Sequence, residues 1–194
     1  MAASEFLEGY WNVNIAERAR VRPATLRDIG AIVAIMNDAI ASRVAFDEQP
    51  KTKEDGKRWF AEHDARYAML VAVDDEGNVC GFGAINRYHG EHDSHGGVAS
   101  FKCFLASGAQ RRGLGTVLMG EIERHARQNG FHKLVVRTFP ANRGSRRLLR
   151  NFGYRVVGVY KRDAIIDGAY VDVMALEKLL SPGHYRIGNP GPTE

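Results

Sequence analysis

The sequence predicts an α+β domain: a mixed, mostly antiparallel sheet of about seven strands flanked by about four helices. Three observations predict it. Apolar runs of strand length alternate with segments of helical periodicity in the order strand, two helices, three strands, helix, strand, helix, two strands. Capping signals open two of the helices, at Thr25-Leu26-Arg27-Asp28 and at Thr52 with Asp55. Turn sequences close two hairpins, at Asp74-Asp75-Glu76-Gly77-Asn78 and at Asp167-Gly168.

The elements follow in order. Arg20 to Ala24 is a short strand that ends at Pro23, and the first helix carries Ile29, Ile32, Val33, Ile35 and Met36 on one face. The second helix carries Trp59 and Phe60. Ala68 to Val73 and Val79 to Asn86 form a hairpin, and a polar loop with three histidines runs from Arg87 to Gly97. Val98 to Leu105 is a strand. The next helix repeats Leu118, Ile122, His125 and Ala126 at helical spacing and stops at Asn129-Gly130. His132 to Phe139 is a strand, and Asn142 to Asn151 a short basic helix ended by Gly153. Tyr154 to Lys161 and Tyr170 to Glu177 are the last two strands.

Residues 1–19 read as a lead-in whose Phe6, Leu7, Tyr10, Trp11, Val13 and Ile15 predict packing, 20–180 as the domain, and 181–194 as a flexible tail. A chain of 194 residues fits one domain, large enough to bury roughly 70% of its unfolded surface. No run reaches membrane-spanning length and no signal sequence opens the chain, so no membrane partner is expected. Cys80 and Cys103 lie in apolar strands, which predicts reduced, buried thiols and a cytoplasmic setting. A net charge of +4 permits an anionic small ligand. It does not call for nucleic acid, because the arginines cluster instead of forming a stripe with aromatics.

The run Gln110-Arg111-Arg112-Gly113-Leu114-Gly115 sits where a strand turns into a helix. Glycines there let a ligand approach the backbone, and the first helical N–H groups lack internal partners. The helix dipole and two arginines favour an anion, so the run reads as a diphosphate cradle or, more plainly, as a connecting loop.

This unit is followed, 27 residues after Gly115, by Asn142-x-x-Ser145, then Leu148 and Phe152-Gly153-Tyr154. Together they resemble the GCN5-related N-acetyltransferases (GNAT), and within them the branch of phosphinothricin and methionine sulfoximine acetyltransferases. Asn37, Phe46 and Gly168-x-Tyr170-x-Asp172 share in the resemblance, which spans roughly 21–180. It implies a single GNAT-like domain and acetyl-CoA as co-substrate, with no metal. Gln110, Arg111, Arg112, Gly113, Leu114, Gly115 and Thr116 would hold the diphosphate through backbone groups. The strand at Phe104 and Leu105 would pair with the pantetheine arm, and a backbone N–H there would stabilise the oxyanion. Asn142 and Ser145 would contact the arm from the other side, Asn142 also serving as a helix cap. Arg143, Arg146, Arg147 and Arg150 share a helix face that is either solvated or a positive collar near the coenzyme's phosphorylated ribose.

The resemblance does not supply the acid–base pair. Where such enzymes carry a strand carboxylate, register places Ser100; where they carry a Tyr or His facing the thiolate, it places Leu149. Replacements lie in Tyr88 to His95: Glu91 or His92 as the base. His89, His92 and His95 could instead hold a metal, or the loop could simply be solvated. Tyr160 and Tyr170 are weaker candidates for the acid. The expected reaction is acetyl transfer to the amine of a small molecule, an amino acid or its analogue, by a homodimer. The rivals are a protein or peptide N-acetyltransferase and a non-catalytic acyl-CoA sensor.

Overall fold

Met69–Val73 (β2) is buried at all five positions, so this strand must lie inside a sheet covered on both faces. The computed structural model, which describes residues 19–88 and 95–181, shows how. Seven strands form one sheet in the order β1-β2-β3-β4-β5-β7-β6. They are β1 (Arg20–Pro23), β2, β3 (Val79–Arg87), β4 (Val98–Leu105), β5 (Lys133–Thr138), β6 (Arg155–Ile166) and β7 (Ala169–Leu179). Every neighbouring pair is antiparallel except β4 with β5. Among the described residues four α-helices flank it: α1 (Ile29–Ala41), α2 (Lys53–Ala61), α3 (Leu114–Gln128) and α4 (Arg143–Asn151). The expected fold class is the observed one. The lead-in up to residue 18 and the tail from 182 lie outside the described residues; Ala19 packs against the core.

Alternation along the strands sorts the core into two layers. Ala99, Phe101, Leu134, Val136 and Leu176 face α3, where Leu114, Leu118, Met119 and Ile122 are fully buried. Met69, Val71, Phe82 and Ala84 face α1, which contributes Ile29, Ile32, Ile35 and Met36. Each of these side chains larger than alanine, removed from water, contributes about 1.5–3 kcal/mol before entropy is counted. The close approach of α3 depends on Gly83: a Cβ there would stand 2.5 Å from Ile122 Cδ1.

Helix starts follow their caps. Thr52 accepts from the Asp55 N–H while Asp55 reaches back to the Thr52 N–H. At Thr25–Asp28 the same box closes a short 3-10 turn (Leu26–Asp28) before α1 begins at Ile29. Asn37 is a brace: its amide bonds both the Lys51 carbonyl and the Lys51 N–H, tying α1 to the lead of α2.

The last hairpin is longer than expected. Asp167 and Gly168 turn it in left-handed conformations, φ 50° and 75°. β6 runs on to Ile166 because Lys161-Arg162-Asp163, polar enough to read as a strand end, forms a bulge. Register shifts between Tyr160 and Ala164, Arg162 takes φ 54°, and Asp172 accepts from the Arg162 N–H and Lys161 Nζ. Among the described residues no helix is long and apolar enough to cross a membrane.

Candidate active site

β4 and β5 leave the sheet's middle side by side but stay paired only over Val98–Ser100 against Lys133–Val135. Beyond Ser100 the two strands part. Alternate N–H and C=O groups on that edge of β4, from Phe101 to Leu105, therefore have no strand partner, and such groups call for one. The gap opens into a cavity of about 1400 Å³.

The cradle closes one end of this slot. Arg111 and Gly113 both adopt left-handed backbone, φ 59° and 80°, which curls the chain into the local geometry of an anion-binding nest. Gly113 then caps α3, and its carbonyl takes the first helical bonds, from Thr116 and Val117. Gln110, Arg111, Gly113, Gly115 and Thr116 line the slot, as do Phe104 and Leu105 of β4. Across from them lie Asn142 and Ser145. Asn142 is indeed a helix cap: its Oδ1 accepts from the Ser145 N–H at 3.0 Å, leaving Nδ2 as its donor. Arg112 and Leu114 do not line the slot; the Leu114 side chain is core, with no exposed surface.

Helix α4 divides its arginines. Arg143 and Arg147 border the slot together with Asn151. Arg146 donates to the Pro140 carbonyl at 2.9 Å, and all four arginines flank a smaller hollow floored by Val156, Met174 and Leu176. The four arginines thus share the smaller hollow, as the spacing predicts, and Arg143 and Arg147 extend that positive face to the slot.

Toward the apex, where β4 and β5 are still paired, the lining becomes ionic. Ser100 Oγ lies 3.5 Å from the Arg87 carbonyl. One pleat along, Lys102 sits 3.5 Å from Asp47, which Lys51 also holds at 2.8 Å. Burial works to raise the Asp47 carboxyl, but the two lysines overcome it and hold it below the ordinary range. Arg137 pairs with Asp163 across the mouth at 3.9 Å. Glu177, beside Val135, is bridged by Lys133 and Arg155. Cys103 also lines the slot, but burial pushes its thiol up to about 12, so it is no thiolate at neutral pH. Cys80 and Cys103 are both free, and each residue keeps part of its surface exposed although the Cys103 thiol itself is buried.

Glu91 and His92, the residues expected to act as base, lie outside the described residues, as does His89. Tyr88 and His95, which flank that segment, meet edge to face with ring centroids 5.8 Å apart, and Tyr88 lines the slot. Tyr160 borders the slot, whereas Tyr170 does not. Leu149 is 2% exposed and offers no proton. Among the described residues no group of three His, Cys, Asp or Glu is placed to hold a metal. Sequence reasoning missed Lys102, Asp47 and Glu177. The strand alternation held their facing, but nothing local told which strands would be neighbours.

The acetyltransferase (GNAT) family profile matches residues 32–154. YwnH of Bacillus subtilis (strain 168) is 32% identical over 162 residues, covering 83% of this chain and 99% of its own. The L-methionine sulfoximine/L-methionine sulfone acetyltransferase of Pseudomonas paraeruginosa is 27% identical over 169 residues, covering 84% and 96%. The fold also matches the crystal structure of a phosphinothricin acetyltransferase from Sinorhizobium meliloti in complex with AcCoA. The TM-score is 0.80 at 21% identity, over 90% of this chain and 95% of that one.

Proposed function

Since the chain belongs to the acetyltransferase (GNAT) family and shares that family's co-substrate, acetyl-CoA, we propose that it acetylates the amine of a small molecule of amino-acid type. One observation carries the reading: the slot joins a diphosphate cradle at one end to an apex lined by charges of both signs at the other. A zwitterion of amino-acid size suits such an apex. The substrates in the relatives' names are of this kind.

The residues present fit the coenzyme. Left-handed Gly113 and the free first turn of α3 suit a diphosphate, with Arg111 adding charge. The unpaired edge of β4 at Phe104 and Leu105 would take the peptide-like arm, and Asn142 Nδ2 and Ser145 would hold it from the other wall. Acetyl-CoA supplies a thioester carbonyl for an amine to attack. A backbone N–H of β4 would receive the charge that develops on that oxygen. Glu91 and His92 remain our candidates for the base, as their place beside Tyr88 brings them into sequence proximity with the slot. Tyr160 is the candidate acid, since it borders the slot.

A thiol-release assay with acetyl-CoA tests the reading. L-Methionine sulfone, L-methionine sulfoximine, phosphinothricin, polyamines and short peptides are the acceptors. Release with the amino-acid analogues and not with peptides is expected. Coenzyme binding without release to any amine would favour the sensor reading, which Ser100 and buried Leu149 support. The free thiols suit a cytoplasmic setting. Assembly as a homodimer stays part of the proposal: Val156, Val157, Ile165 and Tyr170, exposed on the outer hairpin, supply apolar surface for it, and light scattering decides it.

A further inference from the structure

The sheet register sets one row of residues across the apex of the slot. Ser100 is opposite Val135, Val135 is opposite Glu177, and Glu177 is opposite Arg155. Residues opposite one another in a sheet project from the same face. The face is fixed independently. Met174, Leu176 and the latter's partner Val136 pack in the core beneath α3, so Glu177, like Val135 and Ser100, points to the opposite side. There α1, with Trp59 and Phe60 of α2, covers β2 to β4, while β5, β7 and β6 floor the cavity. Ser100 stands where the resemblance leads one to look for a carboxylate, and Glu177 supplies one two strands away, about 10 Å between Cα positions.

From this juxtaposition we infer that the Glu177 carboxylate receives the ammonium group of the acceptor. The inference rests on the reading of the slot as an acetyltransferase site. Three other carboxylates border the slot, and each is placed less well. Asp47, held by two lysines as Glu177 is held by two cations, lies on the loop after α1, Asp163 sits on the bulge of the edge strand near Arg137, and Asp38 lies on α1, so none of them stands in the sheet row of Ser100. Glu177 alone lies in the row of Ser100, at the point where the strands begin to part.

Its neighbours define the acceptor further. Burial alone would raise the Glu177 carboxyl, but Lys133 and then Arg155 overcome this and hold it below the ordinary range. It is therefore charged at neutral pH and can bind an ammonium without taking its proton. The trio of Lys133, Arg155 and Glu177 carries two positive charges against one negative. The excess positive charge suits an acid group on the same acceptor, beside its amine. The trio thus selects amino acids and their analogues over simple amines, Glu177 taking the amine and the two cations the acid group.

The test compares wild type with Glu177→Gln and Glu177→Asp, using L-methionine sulfone, L-methionine sulfoximine and phosphinothricin as acceptors. Glu177→Gln is isosteric, and Glu177→Asp keeps the charge while withdrawing the carboxylate by one methylene. The acceptor KM should rise tenfold or more in Glu177→Gln and severalfold in Glu177→Asp. The KM for acetyl-CoA should stay within twofold, a split that a loss of fold would not give. If wild type transfers acetyl and both variants keep its acceptor KM, the assignment of Glu177 is overturned and the acetyltransferase reading stands. If wild type releases thiol with none of the acceptors, both fall.

Discussion

At the scale of single residues, the fold relies on a few charged groups held where they must stay ionised. Asp28 is the clearest. It is 6% exposed, accepts from Arg22 at 2.8 and 2.9 Å, and also accepts from the Thr25 N–H and hydroxyl. The Arg22 hydrogen bonds, reinforced by those from Thr25, hold its carboxyl at about 2, against an ordinary 3.8. A carboxyl with a lowered folded value stabilises the fold above its unfolded value. That contribution is lost as pH falls from about 4 toward 2. Replacing Asp28 with Asn should therefore cost about 2 kcal/mol at pH 7, since each tenfold drop in the carboxylate's proton affinity on folding is worth about 1.4 kcal/mol. Urea titrations at pH 7 and pH 3 check this: the penalty should shrink on acidification. A penalty equal at both pH values would mean that packing, not ionisation, keeps Asp28 there.

Elements show which features local chemistry can announce. The box at Thr52, the αL glycine ahead of α3 and the Asp167-Gly168 turn were legible because each depends on residues a few positions apart. The bulge in β6 was not, because Lys161-Arg162-Asp163 looks like an ending until Asp172 of the partner strand accepts from it. Glu177 was illegible as a site residue for the same reason: its meaning comes from strands far away in the chain. The motif places Leu114 among the coenzyme contacts through its backbone, which leaves its side chain to the core. Helix α4 gives a prediction at this scale. Its four arginines share neighbouring positions, but only Arg143 and Arg147 border the slot, while Arg146 is spent on the Pro140 carbonyl. Arg147→Gln should weaken acetyl-CoA binding by about 1 kcal/mol, roughly fivefold at low salt, and less as salt rises. Arg146→Gln should leave that affinity unchanged. Calorimetric titration of both variants at two ionic strengths measures the difference, and equal losses would restore a single basic collar.

For the molecule as a whole, the weakest seam in the sheet is also the proposed site. Strands β1 to β4 form one antiparallel set and β5, β7 and β6 another, and three paired positions on each side join them. Below that short ladder the edges of β4 and β5 face the slot, not each other. A coenzyme lying there would bond to β4 on one side and reach Asn142 and Ser145 on the other, bridging the two sets. Ligand that binds only the folded form stabilises it by RT ln(1 + [L]/Kd), about 2.7 kcal/mol at a hundredfold excess over Kd. For a chain of this size that corresponds to a rise in Tm of roughly 5–10 °C. Amide exchange should also slow along Phe101–Leu105, where β4 has no neighbour on that side, and at the first turn of α3. Strand β1 and the β6 edge, which lie outside the seam, should exchange as before. Protection confined to the start of α3, with β4 unchanged, would place an anion in the cradle and leave the seam without its bridge.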